Sequence, residues 1–352
     1  MKKAYRLLSQ ILVLVMLFSL TACGNEASPN GGDGTEDPFV TIIANTSYAA
    51  DNMHVQYMQK FADMVHEKTN GTVTINIEAG GALGIGSYDV LRAVKNNEVP
   101  MSEFVITGVE GDEKIMGIYG LPFLCQDYDQ AQTIWELSIP YVEKAASEKW
   151  NQKILYAGPW PFTCLWSQSK IDSVSDMAGL KTRAFDTNNA LICEATGGTP
   201  YALPFSEVYS SLATNLIDSV LTSTQSAVDG KFWEVLDYYQ PISMGLNLSA
   251  ITISMDMWNR LSPNQQAVME ECAQIIEDEI WDNIENIDAT QAKVCTDNGI
   301  TENKPSDTFK ADLGEIAQEI HVDWLKEAND PDILALYNAY QEATGGNPVE
   351  LS

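Results

Sequence analysis

Few residues in this chain have the types and spacing that catalysis requires. The three histidines, His54, His66 and His321, form no His-Glu-x-x-His or comparable ligand pair. No Gly-x-Ser-x-Gly nucleophile elbow and no Walker motif occurs. Acids outnumber bases 49 to 20, so a pair of carboxylates somewhere in the chain carries no information about glycosidase-type chemistry. His54 and His66 fall on a predicted helix in polar company and read as surface residues. Arg183 is different. It sits in the short apolar run Gly179-Leu180-Lys181-Thr182-Arg183-Ala184-Phe185. A guanidinium stays charged at any working pH and presents a planar fork of donors that fits a carboxylate with two parallel bonds. In so acidic a chain, solubility does not account for an arginine inside an apolar strand. Arg183 is read as the holder of a carboxylate ligand, and the alternative is a buried ion pair with one of the many acids.

Composition narrows the rest. The 352 residues leave room for two domains of ordinary size. Hydrophobic residues make up 45%, with eight Trp and fourteen Tyr, which supports a packed core. A net charge of −29 argues against nucleic acid or an anionic membrane surface as electrostatic partners. An anionic ligand would be opposed by the field of the whole molecule, so its site must supply local positive charge. The Gly80-Gly81-Ala82-Leu83-Gly84 turn lacks the spacing of a phosphate loop and reads as a tight connection. No cofactor is expected.

The amino terminus reads as an address. Lys2, Lys3 and Arg6 precede an apolar run from Ile11 to Leu20, too short to span a bilayer permanently. Leu20-Thr21-Ala22-Cys23 resembles a bacterial lipobox, which makes residues 1–22 a signal peptide and Cys23 the expected lipidated residue. Residues 23–38, rich in Gly, Asn, Ser and acids, read as a flexible tether. The expectation is an extracytoplasmic monomer, lipid-anchored to a membrane. Cys125, Cys164, Cys193, Cys272 and Cys295 are odd in number and widely spaced, and read as small buried thiols. Cys272 and Cys295 share one predicted helix, which would hold them roughly 35 Å apart.

The elements that must position Arg183 follow from periodicity. Residues 40–44 read as a strand, and Asp51 as the cap of a helix carrying Val55, Met58, Phe61 and Val65. Residues 73–78 alternate as a half-buried strand, and a helix is expected over 86–97, the grammar of a parallel α/β sheet. Two helices are expected over 128–138 and 141–151, with Pro140 near the start of the second. Trp160, Phe162 and Trp166 crowd a crossing between domains, where aromatics serve as interface core or pocket wall. A helix over 188–196, another over 206–214 and a strand over 217–221 complete the surroundings of Arg183. Ser262-Pro263-Asn264-Gln265 is a capping box with proline at the first helical position. No breaker follows until Asp297-Asn298-Gly299, so a helix of about 35 residues should lie as a spine across both lobes. Its acids Glu270, Glu271, Glu277, Asp278 and Glu285 read as solvated surface.

Several of these stretches together resemble a known family. Gly81-Ala82-Leu83-Gly84, Leu121-Pro122-Phe123, Asp176-Met177-Ala178-Gly179-Leu180-Lys181-x-Arg183, Leu203-Pro204-Phe205-Ser206-Glu207-Val208-Tyr209 and Trp258-x-x-Leu261-x-x-x-Gln265 occur in that order. The order is similar to that in substrate-binding proteins of tripartite ATP-independent (TRAP) transporters, of dicarboxylate-receptor type. The resemblance implies a two-lobed α/β fold like type II periplasmic binding proteins, with each lobe a sheet flanked by helices. It places one lobe at residues 39–158 with about 249–280, and the other at 159–248 with about 281–345. It also implies a small organic acid as ligand and delivery to membrane transporter subunits. Arg183 matches the family arginine that pairs with the ligand carboxylate, and Phe205 an aromatic that packs on the ligand. Counting back without gaps, Phe162 stands where many members carry a second arginine. Where many carry an asparagine, this chain runs Asp218-Ser219-Val220-Leu221-Thr222. The expected ligand is therefore a monocarboxylate with an apolar or aromatic body, held by Arg183, Thr222 and Ser223 and packed by Trp160, Phe162 and Phe205. Alternatives are a C4-dicarboxylate or sugar-acid receptor of the same family, a sugar or peptide receptor of an ATP-driven transporter, a scaffold lipoprotein, and a secreted hydrolytic enzyme. Asp186 reads as a helix cap or as the partner of a ligand amine.

Overall fold

The computed structural model describes residues 37–351. The signal peptide and Cys23 therefore lie outside the described residues, as does all of the tether but Asp37 and Pro38. Two mixed sheets organise the rest. The first has the order β2-β1-β3-β10-β4, from β1 (Val40–Asn45), β2 (Val73–Glu78), β3 (Met101–Val105), β10 (Leu248–Ser254) and β4 (Gln152–Pro159). β1 runs parallel to β2 and β3, as the strand–helix alternation predicts, whereas β10 is antiparallel to both β3 and β4. The second sheet has the order β11-β9-β5-β8-β6-β7. Here β6 (Lys181–Ala184) lies parallel between β7 (Thr199–Ala202) and β8 (Ser219–Thr222). β5 (Cys164–Ser167) is antiparallel to β8 and to β9 (Tyr238–Gln240), and β11 (Thr301–Glu302) pairs with β9. The chain passes from one sheet to the other between β4 and β5 and returns between β9 and β10.

The long helix spans Pro263–Asp297, with both bonds of the Ser262/Gln265 capping box formed. Met269, Cys272, Ala273, Ile276 and Ile280 pack with residues of the first sheet, while Cys295 packs with Trp166 and Val220 of the second. The spine is thus bound to both layers. Its close approach to β4 depends on Gly158, where a Cβ atom would stand 2.7 Å from Ile280.

Four expectations are corrected. Residues Tyr128–Glu148 form one helix with Pro140 inside it. Proline removes one backbone donor there, yet the buried stripe Ala131, Ile134, Trp135, Val142 and Ala146 runs on past it and keeps the helix seated. Asn52, not Asp51, caps the helix Met53–Lys68, accepting from the His54 amide. His54 is buried, not surface. Glu277 is turned inward on the spine helix, accepting from the Trp135 indole at 3.0 Å and the Ala157 amide at 2.8 Å. The five described cysteines are all buried and free.

Candidate functional site

Arg183 follows from its strand. The Gly179–Gly197 turn region aligns β6 with β7, and Arg183 pairs with Tyr201 on one side and Val220 on the other. Its side chain is 5% exposed. Nε donates to the Leu203 carbonyl at 3.1 Å, and the guanidinium lies 5.3 Å from the centre of the Phe185 ring. No carboxylate lies within ion-pair distance of it among the described residues. Burial pulls its pKa down, while Tyr88, Tyr48 and Asp186 oppose that shift. Among the described residues its terminal nitrogens have no hydrogen-bond partner, and an anion would stabilise a buried cation so placed.

Those nitrogens have somewhere to point. A cavity of about 630 Å³ opens beside Arg183, and Arg183 is the sole Arg or Lys lining it among the described residues. The remaining lining mixes polar, aromatic and small apolar residues, Val105 and Pro204 among the last. Trp160, Phe205, Thr222 and Ser223 line it together with Arg183, so five of the six residues expected at the ligand meet there. Phe162 does not. It stacks on Tyr128 at 4.5 Å and lines a separate crevice, and its neighbour Thr163 faces the cavity instead. Residues 160–163 belong to neither β4 nor β5, so strand alternation does not govern which side chain turns inward.

The walls come from both layers. Ser47 and Tyr48 follow the carboxyl end of β1, and Thr222 and Ser223 stand at the carboxyl end of β8, the place where open α/β sheets bind ligands. That rule could have found Tyr48 from sequence, where residues 45–50 read only as a loop. Two bonds join the layers across the cavity. Asn52 Nδ2 donates to Asp229 Oδ2 at 3.0 Å, and the Tyr88 hydroxyl donates to the Phe185 carbonyl at 3.1 Å. Tyr48 packs on Trp160 at 5.0 Å between ring centres, and His54 lies 4.4 Å from the same indole. Burial depresses the His54 pKa to about 3, so it serves as a neutral ring. Asp186 Oδ1 accepts from the Asn189 amide at 2.7 Å, capping the helix Thr187–Ala195. Burial pushes its pKa to about 7.

Two linked mixed sheets, a spine helix packed on both, and a cavity between them with a buried unpaired arginine define an α/β solute-binding fold. The bacterial extracellular solute-binding protein family 7 matches this chain over residues 44–327, and the chain belongs to that family. It is 25% identical over 230 residues to the Escherichia coli 2,3-diketo-L-gulonate-binding periplasmic protein YiaO, covering 64% of this chain and 68% of that protein. The crystal structure of DctP6, a Bordetella pertussis extracytoplasmic solute receptor binding pyroglutamic acid, superimposes with a TM-score of 0.82 at 26% identity. That alignment covers 86% of this chain and all of the other. A Chromohalobacter salexigens TRAP periplasmic solute-binding protein with bound D-glucuronate gives 0.79 at 20% identity, covering 86% of this chain and 99% of its own. Family members are binding proteins for transport, and the chain is an extracytoplasmic solute receptor. No described helix is long and apolar enough to cross a membrane.

Proposed function

We propose that the protein captures a small monocarboxylate with an apolar or aromatic body and delivers it to a TRAP-type membrane symporter. The carrying observation is Arg183: buried, unpaired among the described residues, and facing the cavity. Its fork receives the carboxylate. Trp160, Tyr48 and Phe205 pack the body, and Thr222, Ser223 and Thr163 offer hydroxyls to its polar atoms. A second carboxylate would find no second cation in the lining among the described residues, and the acids Asp51 and Asp229 would repel it. Residues 39–158 with about 249–280, and 159–248 with about 281–345, are the lobes that close over the ligand, with Asn52–Asp229 and Tyr88–Phe185 as closing contacts. The chain acts as a monomer held to the membrane through lipid on Cys23, and it needs no catalytic step. Pyroglutamic and glucuronic acid, named for two of its structural neighbours, each carry one carboxylate, while C4-dicarboxylate-binding proteins are also among its relatives.

A thermal-shift panel of pyroglutamate, orotate, phenylacetate, D-glucuronate, succinate, glucose and alanine tests the reading, because a ligand bound only by the folded state raises the melting temperature by mass action. The ring monocarboxylates should give the largest rise and succinate a smaller one. A shift from glucose alone, or from no acid at all, contradicts it.

A further inference from the structure

Behind the cavity wall lies an acid that the proposed ligand does not touch. Glu103, in β3, is 1% exposed and has no Lys, Arg or His within ion-pair distance among the described residues. Each of its oxygens ends a relay. The Trp160 indole N–H donates to Ser249 Oγ at 2.9 Å, and the Ser249 hydroxyl donates to Glu103 Oε1 at 2.6 Å. The Tyr48 amide donates to Thr46 Oγ1 at 3.2 Å, and the Thr46 hydroxyl donates to Glu103 Oε2 at 3.0 Å. Both relays run toward the carboxyl group, and both begin at residues that line the cavity. An ionised carboxylate accepts at both ends, whereas a protonated one carries a donor that needs an acceptor of its own.

We propose that Glu103 is a positioning residue of the ligand site: its ionised carboxylate, acting through Ser249 and Thr46, holds Trp160 and Tyr48 in their binding orientation. Ligand affinity then falls when Glu103 takes up a proton. This rests on the cavity being the ligand site. A proton on either oxygen makes it a donor. The facing hydroxyl must then accept from Glu103 while it already accepts from Trp160 or Tyr48, and its own hydrogen loses its acceptor. A buried donor without a partner is expensive. Burial raises the Glu103 pKa to about 7, against the lowering effect of its two hydroxyl bonds, which brings the exchange into the physiological range. The groups facing it are Tyr48 after β1 and Tyr156 on β4, whose own hydroxyl is buried without a partner. Beyond Trp160 lies neutral His54. An anionic ligand would favour the protonated form by repulsion, the opposite sign. The hydroxyls of Thr46 and Ser249 touch Glu103 directly, whereas Glu103 does not line the cavity, so the hydrogen-bond polarity sets the sign proposed.

The test uses the full chain in two arms. In the absence of ligand, the Trp160 indole N–H resonance, assigned by its loss in Trp160→Phe, is followed from about pH 6 to about pH 8. It should titrate with a midpoint near 7 and be flat in Glu103→Gln. In the second arm, pyroglutamate is titrated by calorimetry at about pH 8. Glu103→Gln and Ser249→Ala should each weaken binding about tenfold, while the ligand-free melting temperature of Glu103→Gln stays level or rises because an ionised buried acid is gone. An indole resonance that ignores pH in the wild type overturns the proposal, as does an affinity loss in Glu103→Gln matched by an equal loss of fold stability. Arg183→Ala runs alongside. Undiminished pyroglutamate binding there would defeat the ligand-site reading, and the indole titration would still judge the relay by itself.

Discussion

A guanidinium buried without an acid partner is a stability cost that the free protein carries, and this sets Arg183 apart from a structural ion pair. Removing a partner from a buried pair typically destabilises by about 3–5 kcal/mol, whereas replacing an unpaired buried charge with an apolar side chain of similar length removes a desolvation cost. Arg183→Met should therefore leave the ligand-free melting temperature unchanged or higher while abolishing the ligand-induced rise. A melting temperature that collapses in Arg183→Met would mean that the residue holds the fold. The arginine itself was legible in the sequence because a lone cation in an apolar strand of a chain at −29 is anomalous. Its lack of a partner was not legible, since any of the acids could have folded against it. The same limit applies to Glu103 and Glu277, which look like their surface neighbours until Ser249 and Thr46, or Trp135 and the Ala157 amide, arrive from distant parts of the chain.

Among the elements, the spine helix was the most readable: the capping box at Ser262 and the absence of breakers up to Asp297 set both ends, and the observed bounds agree. Pro140 misled because proline is at home at a helix start, and only the continuous apolar stripe around it reveals the single helix. Phe162, expected at the ligand, stacks on Tyr128 instead, because the chain leaves regular strand between Pro159 and Cys164 and alternation there does not set which side chain turns inward. How the spine meets β4 rests on Gly158. Gly158→Ala should destabilise by roughly 1–3 kcal/mol through overpacking against Ile280. Pairing it with Ile280→Val should recover part of that loss, since contacting sites are not additive. Full additivity in denaturant unfolding of the double variant would contradict this packing.

At the scale of the whole molecule, the buried titratable groups act in opposite directions. Glu103 and Asp186 have folded pKa values raised to about 7 by burial, above the carboxylate range of an unfolded chain. The folded state therefore binds more protons than the unfolded one between that range and 7, and stability rises as pH falls from 8 toward 5. His321 and His54 are depressed by burial to about 4 and about 3, so below an ordinary histidine pKa the unfolded state binds more protons and stability is lost. The ligand-free melting temperature should thus pass through a maximum on the acid side of neutrality, and Glu103→Gln should flatten its alkaline limb. A melting temperature that climbs steadily from pH 5 to pH 8 would contradict these environments. Ligand affinity should move the other way near neutrality if Glu103 orders the cavity wall, so pH separates holding the fold from holding the ligand.

Isothermal titration of the wild type and Arg183→Ala, using the acid that gives the largest thermal shift, bears most directly on the whole reading. Truncating one side of a buried charge pair costs about 2–5 kcal/mol, so the variant should bind at least about thirtyfold more weakly, with Arg183→Lys also well below wild type because it lacks the fork. Wild-type affinity in Arg183→Ala would show that the carboxylate is held elsewhere.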